Sequence, residues 1–133
     1  MSTLVDSNVL IDVLSEDVRW FEWSARALAH EAERTALCIN PVIYAEISVG
    51  YATPVALDAA LPATQFERLP LHFSAGFLAG RAFVEYRRKG GARTSPLPDF
   101  YIGAHALVEG HTLLTRDPAR YRTYFPKLKL VSP

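Results

Sequence analysis

The sequence predicts a single α/β domain, a small parallel β-sheet with helices packed on both faces. Two observations carry this. First, the short apolar runs "TLVD", "ALCI", "FERLPL", "HTLLT" and "LKLVS" alternate along the chain with longer segments of helical periodicity. Strands that alternate with helices build a parallel sheet buried on both sides. Second, the chain has 133 residues, a length that suits one core spanning 1–133.

The elements follow in order. "TLVD" reads as a buried strand and "SNVLIDVLS" as a helix capped by Ser7 or Asn8. In "DVRWFEWSARALAHEAERT", Phe21, Ala25, Leu28, Ala29 and Ala32 recur at helical spacing. "ALCI" is a second strand. "NPVIYAEISVGY" is a helix with Asn40 as its cap and Pro41 in the first turn, where a missing N–H does no harm. Residues 53–61 suit a short helix and "FERLPL" a brief strand. "SAGFLAGRAFVEYRRK" is a helix ended by Gly90 and Gly91, and "PDFYIGAHALVEG" one closed by Gly110. "HTLLT" is a strand, "DPARYRTY" a helical turn, and "LKLVS" the last strand. There is no internal repeat, low-complexity tract or linker.

Composition excludes several classes. Half of the residues are hydrophobic and the formal net charge is zero, so the chain folds and any attraction to nucleic acid must come from a local patch. Cys38 is the single cysteine, so no intrachain disulfide forms, and its apolar surroundings predict a small core residue. No signal-peptide pattern or bilayer-length apolar run is present, and a cytoplasmic location, without membrane contact, is the default expectation.

Four carboxylates lie where apolar residues are expected. Glu46 shares a helical stripe with Ile43, Ile47 and Gly50, and Asp99 shares one with Ile102, Gly103, Ala106 and Leu107. Asp6 and Asp117 directly follow apolar strands, at the carboxyl ends where open parallel sheets place their ligand crevice. Each has an ordinary alternative. Glu46 can sit at the stripe's edge, Asp99 can offset a helix dipole, Asp6 can cap a helix, and Asp117 can open a turn before Pro118. Jointly those alternatives weaken, because four acids at one end of one sheet repel each other and take up protons unless a cation is present. Magnesium and manganese favour such oxygen ligands. His30, His72, His105 and His111 are scattered without zinc-like spacing and read as surface or core residues.

These segments resemble the PIN domain, in particular the VapC-type ribonuclease toxins of bacterial and archaeal toxin–antitoxin modules. The pieces that carry the resemblance are "VDSNVLIDVL", "NPVIYAEISVGY" with Glu46, "LPDFYIGAHAL" with Asp99, and "HTLLTRDPARY" with Asp117, in the family's order and over nearly the whole chain. The resemblance implies a PIN-like fold with an acidic pocket at the carboxyl ends of the strands. It implies that Asp6, Glu46, Asp99 and Asp117 are its catalytic acids, that Asn8 and Thr115 support them, and that Asp6, Asp99 and Asp117 hold Mg2+ or Mn2+. His105 stands where many relatives have a small residue, which would narrow the site or alter local packing. Asp12 is left without a role.

The implied reaction is metal-dependent hydrolysis of an RNA phosphodiester, with transfer RNA among the possible substrates, leaving a 5′-phosphate and a 3′-hydroxyl. Glu46 would complete a second metal position or orient the attacking water. Arg87, Arg88, Lys89 and Arg93 precede Asp99, and Arg116, Arg120 and Arg122 flank Asp117. Arg116 is the strongest candidate for substrate binding. The implied partners are a cognate VapB-type antitoxin and a second copy of the chain in a homodimer. Trp20, Phe21 and Trp23 lie too close together for all to face one core, which predicts exposed apolar surface for a partner.

Other classes fit less well. An aspartate-nucleophile phosphatase needs a second acid where Asn8 stands, and a phosphoacceptor receiver domain needs a lysine after a late strand, whereas Lys127 and Lys129 come before or within the last one. A catalytically inactive PIN-like module that only binds RNA or protein is the remaining alternative.

Overall fold

A computed structural model describes residues 2–133. The chain forms β1 (Ser2–Val5), α1 (Ser7–Leu14), α2 (Phe21–Arg34), β2 (Ala36–Ile39), α3 (Pro41–Ser48), α4 (Pro54–Ala60) and β3 (Phe66–Arg68). There follow α5 (Phe73–Arg88), α6 (Pro98–Glu109), β4 (Thr112–Leu114), α7 (Ala119–Tyr124) and β5 (Leu130–Val131). The strands make one sheet in the order β3-β2-β1-β4-β5, and every pairing is parallel. β1 is central, with Leu4 opposite both Cys38 and Leu113. Leu4, Val5, Cys38, Leu113 and Leu114 are sealed from solvent, as expected for strands covered on both faces. Burial also pushes the Cys38 thiol up to about 12, which makes it an inert core group.

Local chemistry fixes the helix ends. Asn40 Oδ1 accepts from Ile43 N at 2.9 Å and caps α3 ahead of Pro41. Gly110 closes α6 with φ 71°, a left-handed value that glycine adopts without strain. Two expectations change. The cap of α1 is Asp6 itself, which accepts from Ser7 N at 2.8 Å, and not Ser7 or Asn8. α2 begins only at Phe21, because Asp17 Oδ1 accepts from the backbone N–H groups of Arg19 and Trp20 and holds that segment as a turn.

Trp20, Phe21 and Trp23 are each half-buried rather than presented to solvent. Trp20 and Trp23 meet edge to face at 6.4 Å. The fully exposed apolar side chain of this segment is Val18. Among the described residues, no helix is long and apolar enough to cross a membrane.

Candidate active site

Asp6 leaves the carboxyl end of the central strand and is 2 % exposed. Its Oδ1 caps α1, and its Oδ2 accepts from the Tyr121 hydroxyl at 2.8 Å and the Thr115 hydroxyl at 2.9 Å. Thr115 Oγ1 in turn accepts from Asn8 Nδ2 at 3.2 Å and from Asp117 N at 3.1 Å. Thr115 therefore spends its one proton on Asp6. Asn8 Oδ1 accepts from Arg116 N at 3.2 Å. The two expected supporting residues thus tie the start of α1 to the loop after β4.

The other carboxylates approach from separate elements. Glu46 projects from α3, with Oε1 accepting from the Ser7 hydroxyl at 2.8 Å. Asp99 lies in the first turn of α6, where Oδ2 accepts from Arg120 at 3.2 Å. Asp117 is exposed, and its carboxylate accepts no hydrogen bond among the described residues. Asp99, Asp117, Arg120, Tyr86 and Tyr124 line an open cleft of ≈ 370 Å³.

Charge crowding is visible in proton affinity. Burial raises Asp6 to about 6, and repulsion by Asp99 and Glu46 adds to the rise. Burial likewise raises Glu46 and Asp99, with Asp99 repelling Glu46 and Asp117 repelling Asp99. Burial and the negative Asp6 and Asp99 push the Tyr121 hydroxyl well above its usual range, so it stays a donor. The acids are grouped rather than in mutual contact: among the described residues, the only three metal-ligating side chains with donor atoms all within 4.8 Å belong to a different cluster. Separation and Arg120 moderate the repulsion.

Tyr121 and Ser7 were not anticipated as site residues. Tyr121 sits four positions after Asp117, a helical spacing that offered a signal, but "RYRTY" reads as an exposed turn. Its reach depends on Gly103 of α6. A Cβ there would lie 2.6 Å from the Phe125 ring and 3.1 Å from Tyr121 Cδ1, so only glycine lets α7 settle this close.

The basic residues are partly committed elsewhere. Arg87 donates to the carbonyls of Gly91 and Arg93, and Arg88 to Glu85. Arg116 Nε donates to Asp12 Oδ2 at 2.8 Å, and its guanidinium lies 5.5 Å from the Trp20 ring centre. Asp12 is buried and also accepts from the Ser24 hydroxyl at 2.8 Å. Asp12, which lacked a role in the sequence, thus anchors the loop that carries Thr115 and Asp117. Asp12→Ala is expected to cost about 1–2 kcal/mol by leaving Arg116 and Ser24 unpaired. Urea denaturation checks this, and an unchanged midpoint would remove Asp12 from the anchor.

The histidines need a correction. Three of the four are not scattered: His105 is fully buried and meets Glu109 and His111, and His72 reaches the same Glu109, whereas His30 stays apart on the surface of α2. Spacing failed to reveal this because the three rings come from different elements.

An all-parallel α/β sheet with carboxylates at the tip of its central strand, on α3, on α6 and after β4 defines a domain with an acidic pocket at the carboxyl edge. The PIN domain family profile matches residues 3–126, and the chain belongs to that family. Solved structures share the fold. A chain of VapBC2 from Rickettsia felis, bound to a DNA fragment from its promoter, has a TM-score of 0.75 at 19 % identity, covering 99 % of this chain and 98 % of that one. A chain of VapBC-1 from nontypeable Haemophilus influenzae gives 0.75 at 17 % identity, with coverage of 99 % and 98 %. A toxin–antitoxin complex from Klebsiella pneumoniae gives 0.70 at 22 % identity, with coverage of 98 % and 96 %. No curated protein matches the chain by sequence.

Proposed function

We propose that this chain is a VapC-type toxin, a metal-dependent endoribonuclease silenced by a VapB-type antitoxin. The observation that carries this reading is the gathering of four acids from four places in the chain: Ser7 joins Asp6 to Glu46, the Tyr121 hydroxyl lies between Asp6 and Asp99, and Asp99 and Asp117 line one cleft. The fold gathers negative charge where it lowers stability, which is reasonable if a cation and a phosphate are to be bound there.

The oxygen-only donor set of Asp6, Asp99 and Asp117 suits Mg2+ or Mn2+. Such an ion would supply Lewis acidity, making water more acidic and offsetting charge on the phosphate. The chain's own groups do the positioning. Tyr121, Thr115 and Ser7 fix both oxygens of Asp6. Ser7 holds one oxygen of Glu46, leaving the other to orient the attacking water. Arg120, beside Asp99, and Arg116, anchored next to Asp117, would supply positive charge to the RNA phosphates. Asn8 keeps the loop bearing Asp117 in register.

The partner reading rests on a groove of ≈ 410 Å³ beside Glu46, lined by Ile11, Leu14, Ile47, Val49 and Tyr51. Its apolar wall next to an acidic pocket suits an antitoxin segment that covers the site. The exposed Phe73 and Phe77 of α5 suit a homodimer contact. Both parts are tested by coexpression and light scattering of the purified protein.

The deciding experiment is cleavage of end-labelled total and transfer RNA with magnesium, manganese or chelator, beside Asp99→Asn. Cleavage that needs the metal and leaves 5′-phosphate ends, and that the variant lacks, is the expected result. Equal cleavage by the variant would overturn the site. RNA retention without cleavage under any metal would favour the inactive binding module.

A further inference from the structure

The second cluster lies at the opposite end of α6 from Asp99. Its residues come from the last turn of α6 and the entry to β4, with His72 at the start of α5. His105 Nε2 is 2.8 Å from Glu109 Oε2, and His111 Nε2 is 4.0 Å from Glu109 Oε1. The donor atoms of these three side chains all lie within 4.8 Å of one another. His72 Nε2 is a further 3.9 Å from Glu109 Oε2.

These atoms are close yet unsatisfied. His105 Nε2, Glu109 Oε2 and both ring nitrogens of His111 are buried without a hydrogen-bond partner among the described residues. His105 Nε2 and Glu109 Oε2 lie at hydrogen-bond distance, whereas both nitrogens of His111 have no partner near enough among the described residues. Buried polar atoms left in this state are costly, and several in one place need a reason. Donor atoms grouped this closely are within reach of a single cation. Two metal–ligand bonds at a tetrahedral angle separate their donor atoms by about 3.4 Å. The observed separations bracket that value, so small rotations suffice.

We propose that His105, Glu109 and His111 form a structural site for a zinc-class divalent ion, with His72 placed to supply a fourth ligand. Imidazole nitrogen with a single carboxylate selects Zn2+ or Co2+ over Mg2+, the reverse of the all-oxygen pocket at Asp6. The site joins α5, α6 and β4 and takes no part in phosphodiester chemistry.

Asn40 supplies an internal check. Its Oδ1 is occupied as the cap of α3, so its Nδ2 is what faces His105 Nδ1 at 2.9 Å. Nδ1 then accepts, and in the metal-free protein the ring proton sits on Nε2. Ligation through Nε2 moves that proton to Nδ1, opposite an amide that cannot accept it. Asn40→Asp preserves the cap and offers a carboxylate oxygen to Nδ1–H, the arrangement that strengthens histidine ligands elsewhere.

The test is Co2+ titration of chelator-stripped full-length protein, read by visible absorption, together with thermal unfolding in Zn2+ or Mg2+. A tetrahedral-type Co2+ band and stabilisation by Zn2+ are expected. His111→Ala and Glu109→Gln, each verified as folded by circular dichroism, should weaken Co2+ binding by at least about 10- to 100-fold, the loss that even an outer-shell partner brings, whereas Asn40→Asp should tighten it. Asp99→Asn should leave the band in place. A missing band overturns the site. So does a band that survives both ligand variants and disappears with Asp99→Asn, which would place the ion among the acids. Unchanged or weaker binding by Asn40→Asp would remove His105 from the ligand set. None of these readouts depends on RNA cleavage, so a failure here is distinct from a failure of the nuclease reading.

Discussion

Asp6→Asn is expected to abolish RNA cleavage while making the metal-free protein more stable at pH 7. Loss of a metal-holding acid removes several kcal/mol of transition-state stabilisation, a drop of about 10³-fold or more. The stability gain follows from linkage. Asp6 titrates near 6 in the folded chain against an ordinary 3.8, so between those values the native state holds a proton that the unfolded chain has released. Stability therefore falls as pH rises through this window, by up to about 3 kcal/mol at pH 7. Asparagine keeps the cap on Ser7 and removes the charge. Its amide, however, meets the Thr115 and Tyr121 hydroxyls, both arranged as donors. About 1 kcal/mol of that mismatch offsets the gain, leaving a net stabilisation of about 1–2 kcal/mol. The measurement is chelator-treated thermal unfolding from pH 4 to 7.5. The variant should melt slightly below its parent near pH 4, where the amide mismatch is barely offset, and above it by pH 7, the two curves crossing in between. A variant less stable than its parent at pH 7 would show that the Asp6 charge is not under strain.

Gly103→Ala is expected to destabilise the fold and disturb the site together. Helix propensity alone favours alanine by about 1 kcal/mol. The new methyl, however, would lie 2.6 Å from the Phe125 ring, itself buried in the core. Overpacking of this kind costs about 1–3 kcal/mol, so the clash outweighs the propensity. Relief comes from moving α7, which withdraws Tyr121 from Asp6. Melting temperature and cleavage should fall together, and Phe125→Leu in the same chain should restore part of both. A more stable Gly103→Ala protein would mean that α7 is loosely held.

The four acids were legible in the sequence because a charge after a strand or within an apolar stripe conflicts with burial. Asp6, Glu46, Asp99 and Asp117 all carry that conflict. Alternation of strands and helices likewise led to the parallel sheet, and Asn40 and Gly110 marked helix ends by well-defined backbone chemistry. What the sequence leaves hidden depends on approach between distant elements. Tyr121 becomes a site residue only because Gly103 admits α7. The convergence of His72, His105 and His111 on Glu109 needs α5 and α6 to pack side by side. α2 starts later than its periodicity predicts because the Asp17 side chain competes for the backbone donors that a helix would use.

The hydrogen bonds of Asp6 bear on how disuse would appear among relatives. Asp6 caps α1 and anchors Tyr121 and Thr115, so a chain that lost its chemistry would still be under pressure to keep it. Asp117 accepts no comparable bond, and folding would not defend it. Drift in an idle descendant should therefore begin at Asp117, and an aspartate there says more about a working enzyme than the more deeply buried one at position 6.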